Sequence, residues 1–232
     1  MRAQLLIAAN FARDQLWPLF FLLLWVIGWA LFGFLSDPRS AGPDALLIFK
    51  QLVAYTIAFS VFFGSSAIRA DQRSRRIMGV LSKAVSRTQY LAGLLTGIAL
   101  VIGVFCWCLG FTATWVLGRF EFSVPEIWLG MLALVTACLL TAALTLFFST
   151  FLPPVFSAIG TGLLAGIPAM HERSSFFILP VYSLVSPILA GENQQPWHAS
   201  LHVLGTAWVE VLILVLAASW IFSRRDLAVA TE

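Results

Sequence analysis

The segment IRADQRSRRIMGVLSKAVSRTQY, Ile68 to Tyr90, carries Arg69, Arg73, Arg75, Arg76, Lys83 and Arg87 between two long apolar runs. Nowhere else in the chain does positive charge gather so densely. A basic connector between apolar stretches marks a loop on the side of a membrane where lysine and arginine accumulate.

The rest of the chain agrees. It is 60% hydrophobic and 11% charged, with a mean hydropathy of +0.91, whereas soluble domains carry about 25% charged residues. These values predict an integral membrane protein. A spanning helix needs about 20 largely apolar residues, so 232 residues hold roughly six spans and no separate soluble domain. The formal net charge of +3 follows from where basic residues sit at the membrane and does not call for a nucleic-acid partner. Cys106, Cys108 and Cys138 fall inside apolar runs, where a thiol behaves as a small hydrophobe, so neither a disulfide framework nor a metal site is expected.

The polar and Pro/Gly breaks place spans at Trp17–Leu35, Ala45–Ser66, Gln89–Leu117, Pro125–Leu152, Val155–Met170 and Leu201–Phe222. Arg13 and Asp14 interrupt the first apolar stretch, so residues 1–16 are expected to form a helix at the membrane surface rather than a signal peptide. Basic residues divide unequally. Arg2, Arg13, the connector and Arg224/Arg225 fall on one side, and Arg39, Arg119 and Arg173 on the other. Both termini and the connector are therefore expected in the cytoplasm. The segment 171–200 is too apolar for a solvated loop, yet Pro180, Pro187 and Pro196 cut it into pieces too short to cross, which predicts short re-entrant or interfacial helices on the outer side. The fold class expected is all-α integral membrane, a single domain over 1–232. Gly160, Gly162 and Gly166 offer small faces for helix packing.

Within the connector, Ile77, Leu81 and Ala84/Val85 recur at helical spacing, and Asp71 lies four residues before Arg75. The run Ser86-Arg87-Thr88-Gln89 has the form of a capping box, the Ser86 hydroxyl accepting from the Gln89 amide while the Gln89 side chain reaches back. On charge alone the connector is either a loop facing anionic head groups or a rigid element against which a cytoplasmic partner pushes.

The connector resembles the first cytoplasmic loop of ABC-2-type transporter permeases, an acidic residue and a helix followed by a run of the form Leu-Ser-x-Pro-Val-Ser-Arg-x-x-Tyr-x-x-Gly-Lys. Asp71, Leu81, Ser82, Val85, Ser86, Arg87, Tyr90 and Gly93 correspond to it. Ala84 replaces the usual proline, Leu94 the usual lysine, and Arg75 a frequent glycine. The resemblance implies a permease domain in which segment 67–88 is a coupling helix seated in a separate ATP-binding subunit. It also implies a second permease subunit, and Asp71, Arg75, Arg76, Leu81, Lys83, Ser86 and Arg87 as the ATPase-coupling residues. ATP and Mg would be held by the partner, and this chain would carry no cofactor. The sequence itself has no G-x-x-x-x-G-K-[ST] phosphate loop, Lys50 and Lys83 being its only lysines, so the chain is not expected to be an ATPase.

Two ionisable residues fall inside predicted spans, Lys50 and Glu210. Charge within a membrane is a functional candidate by default, as an ion pair or as part of a substrate path; Lys50 is also near enough to the outer surface to snorkel. His198 and His202 are four apart without an obvious third ligand. An exporter permease is the leading expectation. A permease-like subunit of a haem or cofactor maturation system fits the same residues. An intramembrane enzyme is disfavoured because the spans contain no aspartate and the histidines sit at one rim, and a plain membrane anchor leaves Glu210 unexplained.

Overall fold

A computed structural model describes residues 2–35, 42–73, 86–120, 122–170, 180–190 and 200–224. Every regular element among them is helical: α1 Arg2–Asp14, α2 Leu16–Leu35, α3 Gly42–Arg73, α4 Arg87–Leu117, a 3-10 turn Gly118–Phe120, α5 Val124–Ser149, α6 Pro154–Met170, α7 Val181–Ala190 and α8 Leu201–Arg224. Five of these, α2, α3, α4, α5 and α8, are long and apolar enough to cross a membrane. The expected fifth span, Val155–Met170, corresponds to α6, whose 17 residues extend about 25 Å at 1.5 Å per residue.

Helix α5 is the centre. In its most apolar window 78% of residues are buried, against 50% or less in the other four long helices, and α3, α4, α6, α7 and α8 all pack on it. Its sequence allows this because Ala133, Thr136, Ala137, Cys138, Thr141, Ala142, Ala143 and Thr145 are all buried, so small side chains face every direction and let neighbours close in. The threonines bring no unmet polarity. Thr136, Thr141 and Thr145 each donate to the carbonyl four residues back, at 2.9, 3.0 and 2.6 Å, the back-bonding open to hydroxyls in helices.

Glycines set several close helix approaches. A Cβ on Gly64 of α3 would lie 2.8 Å from the Thr145 Cβ and 3.0 Å from the Ala142 carbonyl oxygen of α5. On α4, Gly93 and Gly97 are one turn apart, and Cβ atoms there would meet Ile7 of α1 at 3.1 Å and the Ala8 carbonyl oxygen at 3.0 Å. Helix α1 is accordingly packed into α4 through buried Ile7, Ala8 and Phe11, while Leu5 and Leu6 remain exposed. Among the described residues, Gly160 and Gly162 make no close approach; Gly166 lies outside those whose surroundings are described. The nearest atom to a Cβ on Gly160 is 3.7 Å away, and nothing lies within 4 Å at Gly162.

The helix of the second span does not stop at Ser66: α3 runs unbroken to Arg73, so Ala67–Arg73, the first residues of the expected coupling segment, continue the helix. Ser65 and Ser66 do not break it because their hydroxyls bond to the Phe62 carbonyl at 3.0 and 2.8 Å, and Ala67 and Ile68 are 2% exposed. Residues 74–85 lie outside the described residues, as do 171–179 and 191–199 of the outer segment. Between those last two, α7 is ten residues long, with Pro187 inside it, about 15 Å and too short to cross. Its buried stripe of Val181, Leu184, Val185 and Ile188 packs on α5, α6 and α8.

Replacing Gly64 by leucine should cost about 1–3 kcal/mol through overpacking, because backbone and a β-branched side chain oppose it. The same change at Gly28, which has nothing within 4 Å, should be near neutral. Unfolding midpoints of the purified chains in detergent compare the two.

Candidate functional site

The expected capping box is present. Ser86, extended at φ −68° and ψ 151°, caps α4; its hydroxyl accepts from the Gln89 amide, and its own amide donates to Gln89 Oε1, both at 3.2 Å. Two otherwise orphan donors at the helix start are satisfied reciprocally. The next residue does something the sequence did not foretell. The Arg87 guanidinium donates through Nη1 to the Phe222 carbonyl and lies over the Phe222 ring, 5.5 Å from its centroid. Thr88 Oγ1 shares a hydrogen bond with Ser219 Oγ, and the buried Tyr90 ring stacks on Phe222 at 6.3 Å and 19°. The last carbonyls of a helix have no intrahelical donor and carry partial negative charge. Arg87 supplies both a donor and a cation to the end of α8.

The other end of α4 repeats the device. Arg119, on the 3-10 turn that follows α4, donates to the Gly33 carbonyl in the last turn of α2 at 2.8 Å. At Gly33 itself a Cβ would lie 2.7 Å from Val116 of α4. One helix is thus pinned at its start to α8 and just past its end to α2. Nothing local in the sequence announces either partner, since Arg87 and Phe222 are 135 positions apart and Arg119 and Gly33 86.

Of the seven residues expected to couple to an ATPase, Ser86 and Arg87 are thus part of the α4 start, and Asp71 stands on the final turn of α3. Arg75, Arg76, Leu81 and Lys83 lie outside the described residues. The connector therefore departs from the end of α3 and returns into the capped and pinned start of α4.

Within the spans, Lys50 is half-buried on α3 and Glu210 half-buried on α8. Each lies about 12–14 Å along its helix from the first residue, by 1.5 Å per residue. Glu210 shares the stripe of Ala207, Val211 and Leu214 that faces the bundle, and its Oε2 has under 1 Å² accessible. The helices that carry them, α3 and α8, each pack chiefly on α5 rather than on each other.

A polar contact missed by the sequence joins α3 to α5. Ser60 Oγ and Thr141 Oγ1 are 2.6 Å apart and buried; with Thr141 donating to the Ala137 carbonyl, the single Ser60 proton goes to Thr141 Oγ1, the Ile57 carbonyl at 2.7 Å being its alternative acceptor. Serine and threonine at matching depth in neighbouring spans are a weak signal for such a pair, because most of them bond only to their own backbone. Cys106 and Cys138 are buried and Cys108 is half-buried. Among the described residues no three His, Cys, Asp or Glu side chains converge; His202 sits on the first turn of α8, and His198 lies outside the described residues. Compared with known proteins, the chain matches no family model and no curated protein.

Arg87→Gln should speed amide hydrogen exchange in the last turn of α8 roughly tenfold, about 1.4 kcal/mol for a lost charge-assisted bond, without changing α2. Arg119→Gln should do the reverse. A double-mutant cycle on Ser60→Ala and Thr141→Val should return a coupling of about 0.6 kcal/mol, the size usual for a hydrogen bond between membrane helices, measured by reversible unfolding in bicelles.

Proposed function

We propose that this chain is the membrane-spanning permease subunit of an ATP-driven transporter of the ABC-2 kind, working as an exporter. It would dock on a separate ATP-binding subunit and pair with a second permease subunit. In this reading α6 is also a span, the fifth of six, at the short end of the roughly 17–25 residues a crossing helix uses. Helix α1 then lies at the cytoplasmic interface, both termini are cytoplasmic, and the protein resides in a bacterial inner membrane.

The observation that carries the reading is how the basic connector is anchored. It leaves a continuous α3 and enters an α4 whose start is capped by Ser86 and tied to the end of α8 by Arg87, Thr88 and Tyr90. A force applied to residues 74–85 would pass into three spans at once instead of being absorbed by slack chain. A ligand shifts an equilibrium only through its different affinity for the two states. ATP, held with Mg by the partner, would favour the closed pair of ATPases, and the connector would carry that closure to the spans. Arg75, Arg76 and Lys83 are the charges available for docking, with charge-assisted hydrogen bonds to acidic groups of the partner. Arg87 contributes differently, holding α4 to α8 so that the push is transmitted. Lys50 and the buried Glu210 carboxylate are the candidates for the substrate path.

The test is purification of the tagged full-length chain from its native membrane in gentle detergent. A P-loop ATPase should accompany it and be lost on Arg76→Glu or on scrambling residues 74–85, with insertion unchanged. Recovery of the chain alone across several detergents would overturn the proposal. Arg87→Glu is a poorer probe, because it also breaks the junction with α8.

A further inference from the structure

Gln51 is out of keeping with its surroundings. It stands on α3 about 13 Å along the helix from Gly42, at 1.5 Å per residue, and it is exposed. Its amide makes no hydrogen bond among the described residues. An amide offers two donors and an acceptor oxygen, and hydrocarbon satisfies none of them. One turn further, Tyr55 is 46% exposed, its ring leaning on Trp25 of α2 at 6.3 Å. Leu47, Ala54 and Ala58 share this face and are also exposed. The stripe therefore combines a polar side chain at membrane depth with two alanines one turn apart, which permit close approach of another helix. Lys50, three residues after Leu47 and four before Ala54, is half-buried and borders the stripe.

We propose that this face of α3 packs against the same face of a second copy of the chain, with the two Gln51 amides hydrogen-bonded across a twofold axis. An amide is donor and acceptor together, so it complements itself, as a contact made by identical surfaces requires. Two copies inserted in the same orientation meet with their α3 helices parallel, and residues at one depth then face their own counterparts. Lipid tails offer Gln51 no partner. The exposed faces of α2 and α8, with Phe21 and Leu24 on one and Leu212 and Leu216 on the other, are wholly apolar there and match lipid. The inference rests on the paired-subunit part of the proposed function and supplies its surface. It does not depend on the ATPase.

The test uses the full chain in its native membrane with Cys106, Cys108 and Cys138 replaced by alanine. Single cysteines are placed as Gln51→Cys, Ala54→Cys and Ala58→Cys on α3, with Leu212→Cys on α8 and Phe21→Cys on α2 as comparisons. Copper-phenanthroline oxidation should give disulfide-linked dimers at the three α3 positions and few at the other two. In the otherwise unaltered chain, Gln51→Leu should weaken dimerisation in nanodiscs by roughly threefold to tenfold, the change that one or two membrane hydrogen bonds carry, read as the dimer fraction by single-molecule photobleaching. Cross-links at Leu212→Cys or Phe21→Cys without any along α3 would overturn the proposal, as would a chain that stays monomeric with Gln51 facing lipid only. Dimers through α3 with no co-purifying ATPase would retain this interface and defeat the transporter reading. An ATPase recovered with no α3 cross-link would do the opposite.

Discussion

The close approach of α3 and α5 at Gly64, beside the Ser60–Thr141 hydrogen bond, is the contact on which the helix arrangement depends. Lipid tails are as apolar as leucine, so burying apolar surface between spans gains little. Association rests on shape, dispersion and a few hydrogen bonds. Gly64 removes the side chain that would hold the two backbones apart. Ser60 and Thr141 then meet at hydrogen-bonding distance, one turn away along α3. With that pair close, α5 is enclosed, and the small residues on its remaining sides accept α4, α6, α7 and α8.

Around this centre α4 acts as a strut. Gly93 and Gly97 receive α1, Gly110 lies against Met131 and Trp128 of α5, and the arginines at its two ends hold α8 and α2. Both arginines answer the same need, the unpaired carbonyls at a helix end, and both do so for a helix distant in sequence. The start of α4, where the basic connector rejoins the bundle, is tied to α8 through Arg87, Thr88 and Tyr90.

The few polar groups at membrane depth divide by what surrounds them. Ser60, Thr136, Thr141 and Thr145 are met inside the bundle and specify packing. Glu210 directs a buried oxygen toward the interior, whereas Gln51 and Tyr55 face outward. Burial thus separates groups that composition alone would place in one class: internal hydroxyls stabilise one chain, and outward amides favour contact with another.

By itself the sequence determined the helical class, the positions of the long apolar helices and the cap at Ser86, because each depends on composition or on residues within a turn of one another. Ser86 and Gln89 are three positions apart, so their pairing follows once a helix begins there. It did not show that the helix of the second span runs on into the connector, since two serines that look like a break bond back to Phe62 and let α3 continue to Arg73. It pointed to glycines on α6 for close packing, whereas Gly33, Gly64, Gly93, Gly97 and Gly110 make close approaches, because spacing shows that a small face exists and not which helix will fill it. Only the tertiary structure decided that Arg87 serves α8, that Arg119 serves α2, that the helices carrying Lys50 and Glu210 each pack chiefly on α5, and that Gln51 faces outward. Each is a relation between segments far apart in the chain, set by how helices pack in three dimensions, and no local pattern of residues encodes it.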